Sequence, residues 1–161
     1  MARVFVSVGS NIDKEKNIHS AIAALQTEFG ALICSNVYQT EAVGFVGEDF
    51  HNLVIGFDTC RSPEEVAKVL RQIEQSHGRK RGKERFLSRT LDLDLLLYAD
   101  LIIQQDGLQL PRDEITRYAF VLGPLAEIAG DLKHPQSGKP LKELWAEMSK
   151  NGESLLQPIS Y

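Results

Sequence analysis

Two aspartates, Asp92 and Asp94, stand two residues apart in the run LDLDLLL (residues 91–97). On an extended strand this spacing sends both carboxylates out of one face, about 7 Å apart along the chain, and gives Leu91, Leu93 and Leu95 the opposite face. Two like charges side by side are unfavourable unless a cation lies between them, and hard oxygen donors suit Mg²⁺ or Mn²⁺. A strand with two merely solvated aspartates has the same alternation, but aspartate is a poor strand former and two of them require a reason. Immediately upstream, the segment RKRGKERFLSR from Arg79 to Arg89 holds six cations and one anion. Such a block is commonly a solvated loop or helix end. This one stops three residues before Asp92, and two carboxylates cannot satisfy six cations. Divalent metal flanked by Arg and Lys is what a transferring polyphosphate requires, since both neutralise its oxygens. No GxxxxGK[ST] or GxGxxG string occurs, so side chains and metal, not a glycine-rich turn, would hold the phosphates.

The sequence contains no recognisable Ser or Cys nucleophile motif and no HExxH. Covalent catalysis and zinc hydrolysis therefore lack support, and direct in-line transfer between two bound substrates fits better. The acceptor needs a pocket of its own. Thr40, Phe50 and Asn52 supply an apolar plate beside an amide, with Phe50 and Asn52 on one strand face. Phe50 is equally compatible with core packing. Asn52, inside an apolar strand, must find hydrogen-bond partners.

These residues need a frame. RVFVSVGSN reads as a strand that leaves its sheet through a tight turn. Ile18, Ile22 and Leu25, with Ala21 and Ala24, recur at helical spacing up to a stop at Gly30. ALICSNVYQT and HNLVIGFDT read as strands joined by the loop EAVGFVGEDF. Ser62-Pro63-Glu64-Glu65 starts a helix with a capping Ser, Pro at the first helical position and Glu at the third. Val66, Val69, Leu70 and Ile73 form its buried face, and Gly78 ends it. TLDLDLLLY is the next strand, followed by an apolar turn at LQLP, a helix from about Tyr118 to Ile128 and a last helix from Leu141 to Met148. The order strand, helix, strand, strand, helix, strand predicts an α+β fold: a ferredoxin-like split βαβ sheet with helices on one face, extra C-terminal helices, and the other face available for ligand.

With 161 residues, 43% hydrophobic and 25% charged, the chain has ordinary globular composition, and its length predicts a single domain over residues 1–161. No run approaches the ~18 apolar residues that span a bilayer. The amino end reads as a strand rather than a leader, so the expected location is the cytoplasm. Eighteen Lys and Arg against 22 Asp and Glu give a charge of −4, which argues against general nucleic-acid or membrane-surface binding. Cys34 and Cys60 lack companions at metal spacing and are expected to be free, inert thiols.

The strings VSVGSN, YQTEAVG, FHNLV, RFLSRTLDLDLLLY and RYAFVLGPLAEIA, in this order from about Val4 to Leu144, resemble the 6-hydroxymethyl-7,8-dihydropterin pyrophosphokinase family of folate biosynthesis. Its central element, Arg-x-x-Asp-x-Asp followed by aliphatics, is matched by Arg89, Asp92 and Asp94. The resemblance implies a ferredoxin-like enzyme that moves the β,γ-diphosphate of ATP onto the hydroxymethyl oxygen of the dihydropterin and releases AMP; a monomer is the expected assembly. It implies two Mg²⁺ ions on Asp92 and Asp94, with Arg79 and Arg89 stabilising the transferring group. Glu74, Arg81 and Arg112 fall on the nucleotide side. The pterin would lie between Phe50 and Phe120, bonded by Asn52 and by backbone groups near Thr40 and Val43, and covered by Phe86.

The departures lie on the ATP side. Pro111-Arg112 stands where the family usually has Pro-His, and Tyr118 where it has Arg, with Arg117 one place early. Leu87-Ser88 replaces a small pair before Arg89. They leave open a second reading, a pterin-binding paralogue with weak or lost kinase activity. An RNA-binding module is disfavoured, because no RNP-type [KR]-G-[FY] string occurs and the aspartates would repel phosphate without metal.

Overall fold

The computed structural model describes residues 1–41, 49–78, 91–105, 107–150 and 156–160. In chain order its elements are β1 (Ala2–Ser10), α1 (Lys14–Phe29), β2 (Ile33–Cys34), β3 (Val37–Thr40), β4 (Phe50–Thr59), α2 (Pro63–Ser76), β5 (Asp92–Tyr98), β6 (Ile103–Gln105) and β7 (Leu108–Leu110). A 3₁₀ turn (Asp113–Thr116), α3 (Ala119–Ala129), α4 (Leu141–Lys150) and β8 (Gln157–Ile159) follow. The main sheet runs β5-β1-β4-β3-β8, with β2 also on β4, and its neighbours are antiparallel. Strand β4 thus lies between β1 and β3, the two strands that α1 connects, which is the split βαβ arrangement of a ferredoxin-like fold.

Strand alternation divides the apolar residues between two cores. Val4, Val6, Val8, Leu53, Ile55, Phe57, Leu91, Leu93 and Leu95 meet Ile18 and Leu25 of α1 and Val66, Leu70 and Ile73 of α2. Phe5, Val54, Leu96 and Leu97 face the other way and meet Ile115, Val121, Leu122 and Leu125 under α3, with Leu141 of α4. The two helices of the ferredoxin-like unit share one face as expected. The additional helices occupy part of the opposite face, so the surface expected for ligand is only partly open.

Helix α2 begins as its sequence dictates. The Ser62 hydroxyl accepts from the Glu65 N–H at 3.2 Å while the Glu65 carboxylate accepts from the Ser62 N–H at 3.0 Å, a complete capping box with Pro63 at the first position. Ser62→Ala is expected to lower the unfolding free energy by about 1 kcal/mol, read as a drop in the urea midpoint at unchanged slope.

Three local features differ from the sequence reading. The strand expected over 31–40 is split into β2 and β3, because the Ser35 hydroxyl accepts from the Val54 N–H at 2.9 Å and so takes a place that a backbone carbonyl would fill. The apolar turn at LQLP is the second strand of a hairpin in which Ile103 pairs with Leu110 and Gln105 with Leu108. Strand β8 was not anticipated; it covers the edge of β3, with Pro158 opposite Tyr38, an edge position that tolerates a residue without an N–H. Cys34 and Cys60 are free and exposed. Among the described residues no helix is long and apolar enough to cross a membrane.

Candidate active site

Register brings the expected residues into one row across the sheet. Gly9 of β1 pairs with Asp92 of β5 on one side and with Asn52 of β4 on the other, and Asn52 pairs in turn with Tyr38 of β3. Directly opposed residues of antiparallel strands share a face. One step along, Ser7 pairs with both Asp94 and Val54, and Val54 belongs to the core beneath α3. Asp92, Asp94, Asn52 and Phe50 therefore look toward the side of the sheet that carries α3, and Leu91, Leu93 and Leu95 fill the core beneath α1 and α2, as alternation requires.

Asn52 is buried at 5% exposure, and its Nδ2 donates to Thr40 Oγ1 at 2.6 Å. A Cβ on Gly9 would lie 2.8 Å from Asn52 Oδ1 and 3.8 Å from Phe50 Cδ1. The amide and the ring thus stand together over Gly9, where only a hydrogen leaves them room. Next to them Tyr38 donates to Glu127 of α3, whose other oxygen accepts from the Asn36 N–H at 2.8 Å. Burial first, and then the Glu127 carboxylate, push the Tyr38 phenol above its ordinary value. One carboxylate thereby ties α3 to β3. Phe120 lies in the first turn of α3, partly buried against the same core, and stacks on Tyr118 at 5.1 Å between ring centroids. Arg117 is held by Asp113 at 3.2 Å and lies over the Tyr118 ring.

Among the described residues strand β5 ends the sheet, so every second N–H points away from β1 with no described strand to receive it. Glu74 of α2, 1% exposed, supplies the acceptor: its Oε2 takes the Leu93 N–H at 2.8 Å. The bond fixes the residue between the two aspartates. Glu74→Ala is expected to cost about 1 to 3 kcal/mol, the penalty of an unmet buried donor, whereas Glu74→Gln retains an acceptor and most of the stability; denaturant unfolding of both variants distinguishes them.

Asp92 and Asp94 are both partly exposed. Arg112 Nη2 lies 3.3 Å from Asp94 Oδ1, and Arg112 Nε pairs with Glu114. The two carboxylates are hard oxygen donors on one strand face, the donor type that a hard divalent ion takes; among the described residues no cluster of three or more His, Cys, Asp or Glu is present. Two carboxylates with the remaining positions left to water and substrate phosphate is the way Mg²⁺ is usually held.

Val43, Arg79, Arg81, Phe86, Leu87, Ser88 and Arg89 lie outside the described residues. The chain on either side of the basic segment is placed: α2 ends at Ser76, and Leu91 is fully buried just before β5. Gln39 Nε2 donates to Asp49 Oδ2 at 2.8 Å, tying the end of β3 to the residue before β4.

The sequence pattern that defines the 7,8-dihydro-6-hydroxymethylpterin-pyrophosphokinase family, abbreviated HPPK, matches residues 5–130, a span that includes every residue of this row. The chain belongs to that family. Among its HPPK relatives, the 2-amino-4-hydroxy-6-hydroxymethyldihydropteridine pyrophosphokinase of Synechocystis is 39% identical over 86% of this chain and 72% of its own length. The enzyme of the same name from Aquifex aeolicus is 35% identical over 91% and 92%. The bifunctional protein FolKE of Lactococcus lactis is 32% identical over 96% of this chain but 45% of its own length. The HPPK-DHPS of Plasmodium falciparum shares the fold with a TM-score of 0.73 at 13% identity, covering 94% of this chain and 45% of that one. The chain thus spans less than half of that solved protein. Sequence reasoning about this HPPK domain missed Gly9, Tyr38, Glu127 and Glu114. The Gly of VSVGSN was visible, but its use depends on which residue opposes it across the sheet.

Proposed function

We propose that the chain, as a single catalytic domain, transfers the β,γ-diphosphate of ATP to the hydroxymethyl oxygen of 6-hydroxymethyl-7,8-dihydropterin and releases AMP. The observation that carries the reading is the shared face: the carboxylate pair of β5 and the Phe50–Asn52 pair of β4 lie on one side of the sheet, separated by a single strand whose facing residue is glycine. A donor and an acceptor can therefore be held side by side for in-line attack.

Asn52, with Thr40 behind it, reads the hydrogen-bonding edge of the heterocycle, and Phe50 and Phe120 provide apolar faces for its ring, with Val43 and Phe86 contributed by the flanking segments. Asp92 and Asp94 hold Mg²⁺, two ions in the full site. When bound, the metal neutralises phosphate oxygens and lowers the cost of charge at the transferring group. Arg79 and Arg89 stabilise that same charge, and Arg81 and Arg112 serve the nucleotide. Glu74 acts by holding Leu93, and through it the spacing of the aspartates. The hydroxymethyl oxygen gives up its proton to water and forms its bond to the β-phosphorus as the bond from that phosphorus to the bridging α,β oxygen breaks, and AMP carries the electron pair away.

An assay of AMP release with the hydroxymethyl dihydropterin, ATP and Mg²⁺ tests the reading. AMP formed only when the pterin is present supports it. Pterin binding without AMP identifies a paralogue that lost the transfer, and no pterin binding with an ATP analogue and Mg²⁺ present overturns the assignment.

A further inference from the structure

Arg112 is attached to the strand that carries the aspartates. Its backbone N–H donates to the Leu96 carbonyl at 3.0 Å, two residues beyond Asp94. The residues on either side of it are pinned: Leu110 is buried in the core under α1 and α2, and Ile115 in the core under α3. From this fixed base the guanidinium reaches Asp94 Oδ1 at 3.3 Å and lies against Glu114. All three side chains are at least two-thirds withdrawn from water. Guanidinium does not lose its proton in proteins. Arg112 thus sets one positive charge between two carboxylates, and a divalent ion that binds Asp94 through Oδ1 competes with that guanidinium for the oxygen.

We propose that Arg112 is an internal competitor for the metal position at Asp94, with Glu114 as the residue that retains the guanidinium when it is displaced. The proposal rests on reading Asp92 and Asp94 as the metal-binding pair. Metal arriving alone displaces Arg112 onto Glu114 and gains little. Metal arriving with a polyphosphate brings phosphate oxygens that accept the released guanidinium, so metal and nucleotide raise each other's affinity by the same factor. Arg112 thereby favours loading of the two together and keeps free metal out of an empty site.

Calorimetric titration of the whole chain with Mn²⁺ alone, at low ionic strength and without nucleotide, tests this. Arg112→Gln and Arg112→Ala are expected to bind Mn²⁺ about fivefold tighter than wild type. Arg117→Ala, which removes the same charge from the pair with Asp113, is expected to change affinity by less than about twofold, as a screened distant charge should. Asp94→Asn is expected to abolish the binding. If Asp94→Asn leaves Mn²⁺ binding intact, the metal reading of the aspartates fails and the proposal with it. If Asp94→Asn abolishes binding while both Arg112 variants bind as wild type or weaker, or Arg117→Ala gains as much as they do, the metal site stands and the competitor role is overturned. Thermal unfolding of each variant confirms that folded protein was titrated.

Discussion

Asp92→Ala and Asp94→Ala are each expected to lower kcat/KM for AMP release by at least about 10²-fold at saturating Mg²⁺. Each substitution removes one of the two carboxylates that share this strand face. The loss of charge neutralisation falls on the transition state more than on bound ATP, because negative charge at the transferring group is redistributed as the bond to AMP breaks. Stability should change little. Both side chains are partly exposed on a strand at the sheet's edge and belong to neither core, and in Asp94→Ala the guanidinium of Arg112 keeps its pair with Glu114. The measurement is steady-state AMP formation together with the urea midpoint of each variant. Folded variants of both kinds that retain rates within about threefold of wild type would remove the metal reading of the pair.

The second large effect concerns the acceptor. Asn52→Ala is expected to weaken pterin binding by about 1 to 3 kcal/mol, roughly fivefold to 150-fold, since a buried polar edge of the ligand loses its partner. Gly9→Ala should act in the same direction through a different cause. The new Cβ, placed 2.8 Å from Asn52 Oδ1, forces the amide out of its position over Thr40 while leaving the amide chemically intact. Phe120→Ala should cost about 1 kcal/mol or more through lost stacking and burial. Nucleotide affinity, titrated alone, should be nearly unchanged in all three, because the aspartates and arginines of the donor side are untouched. Calorimetry with a dihydropterin analogue, in the presence of an ATP analogue and Mg²⁺, measures each. Wild-type pterin affinity in folded Gly9→Ala protein would show that the position of the Asn52 amide is not what the pterin reads.

Much of this site was determined by the sequence alone, wherever the governing interaction is local. The alternation of LDLDLLL assigned Leu91, Leu93 and Leu95 to one face and the aspartates to the other, and they lie there, because a strand's side chains alternate whatever it packs against. Ser62, Pro63 and Glu65 announced the start of α2, because all the bonds of a capping box lie within four residues. The family was legible from five short strings in order. What needed the tertiary structure depends on register and on contacts between segments distant in the chain. That Gly9 separates Asp92 from Asn52 follows from β1 pairing with both β4 and β5, and a shift of one residue would send every side chain to the other face. Glu74 carried no mark in the sequence of its bond to Leu93, since only an edge strand leaves that N–H for a helix side chain to accept. The split between β2 and β3 and the late strand β8 were hidden for the same reason: Ser35 replaces a ladder carbonyl only because β4 lies beside it, and three residues with a central proline form a strand only where the edge of β3 waits for them. The family resemblance put Arg112 on the nucleotide side. Its place on Asp94 was decided by the backbone bond to Leu96 and by the two cores that fix Leu110 and Ile115 on either side.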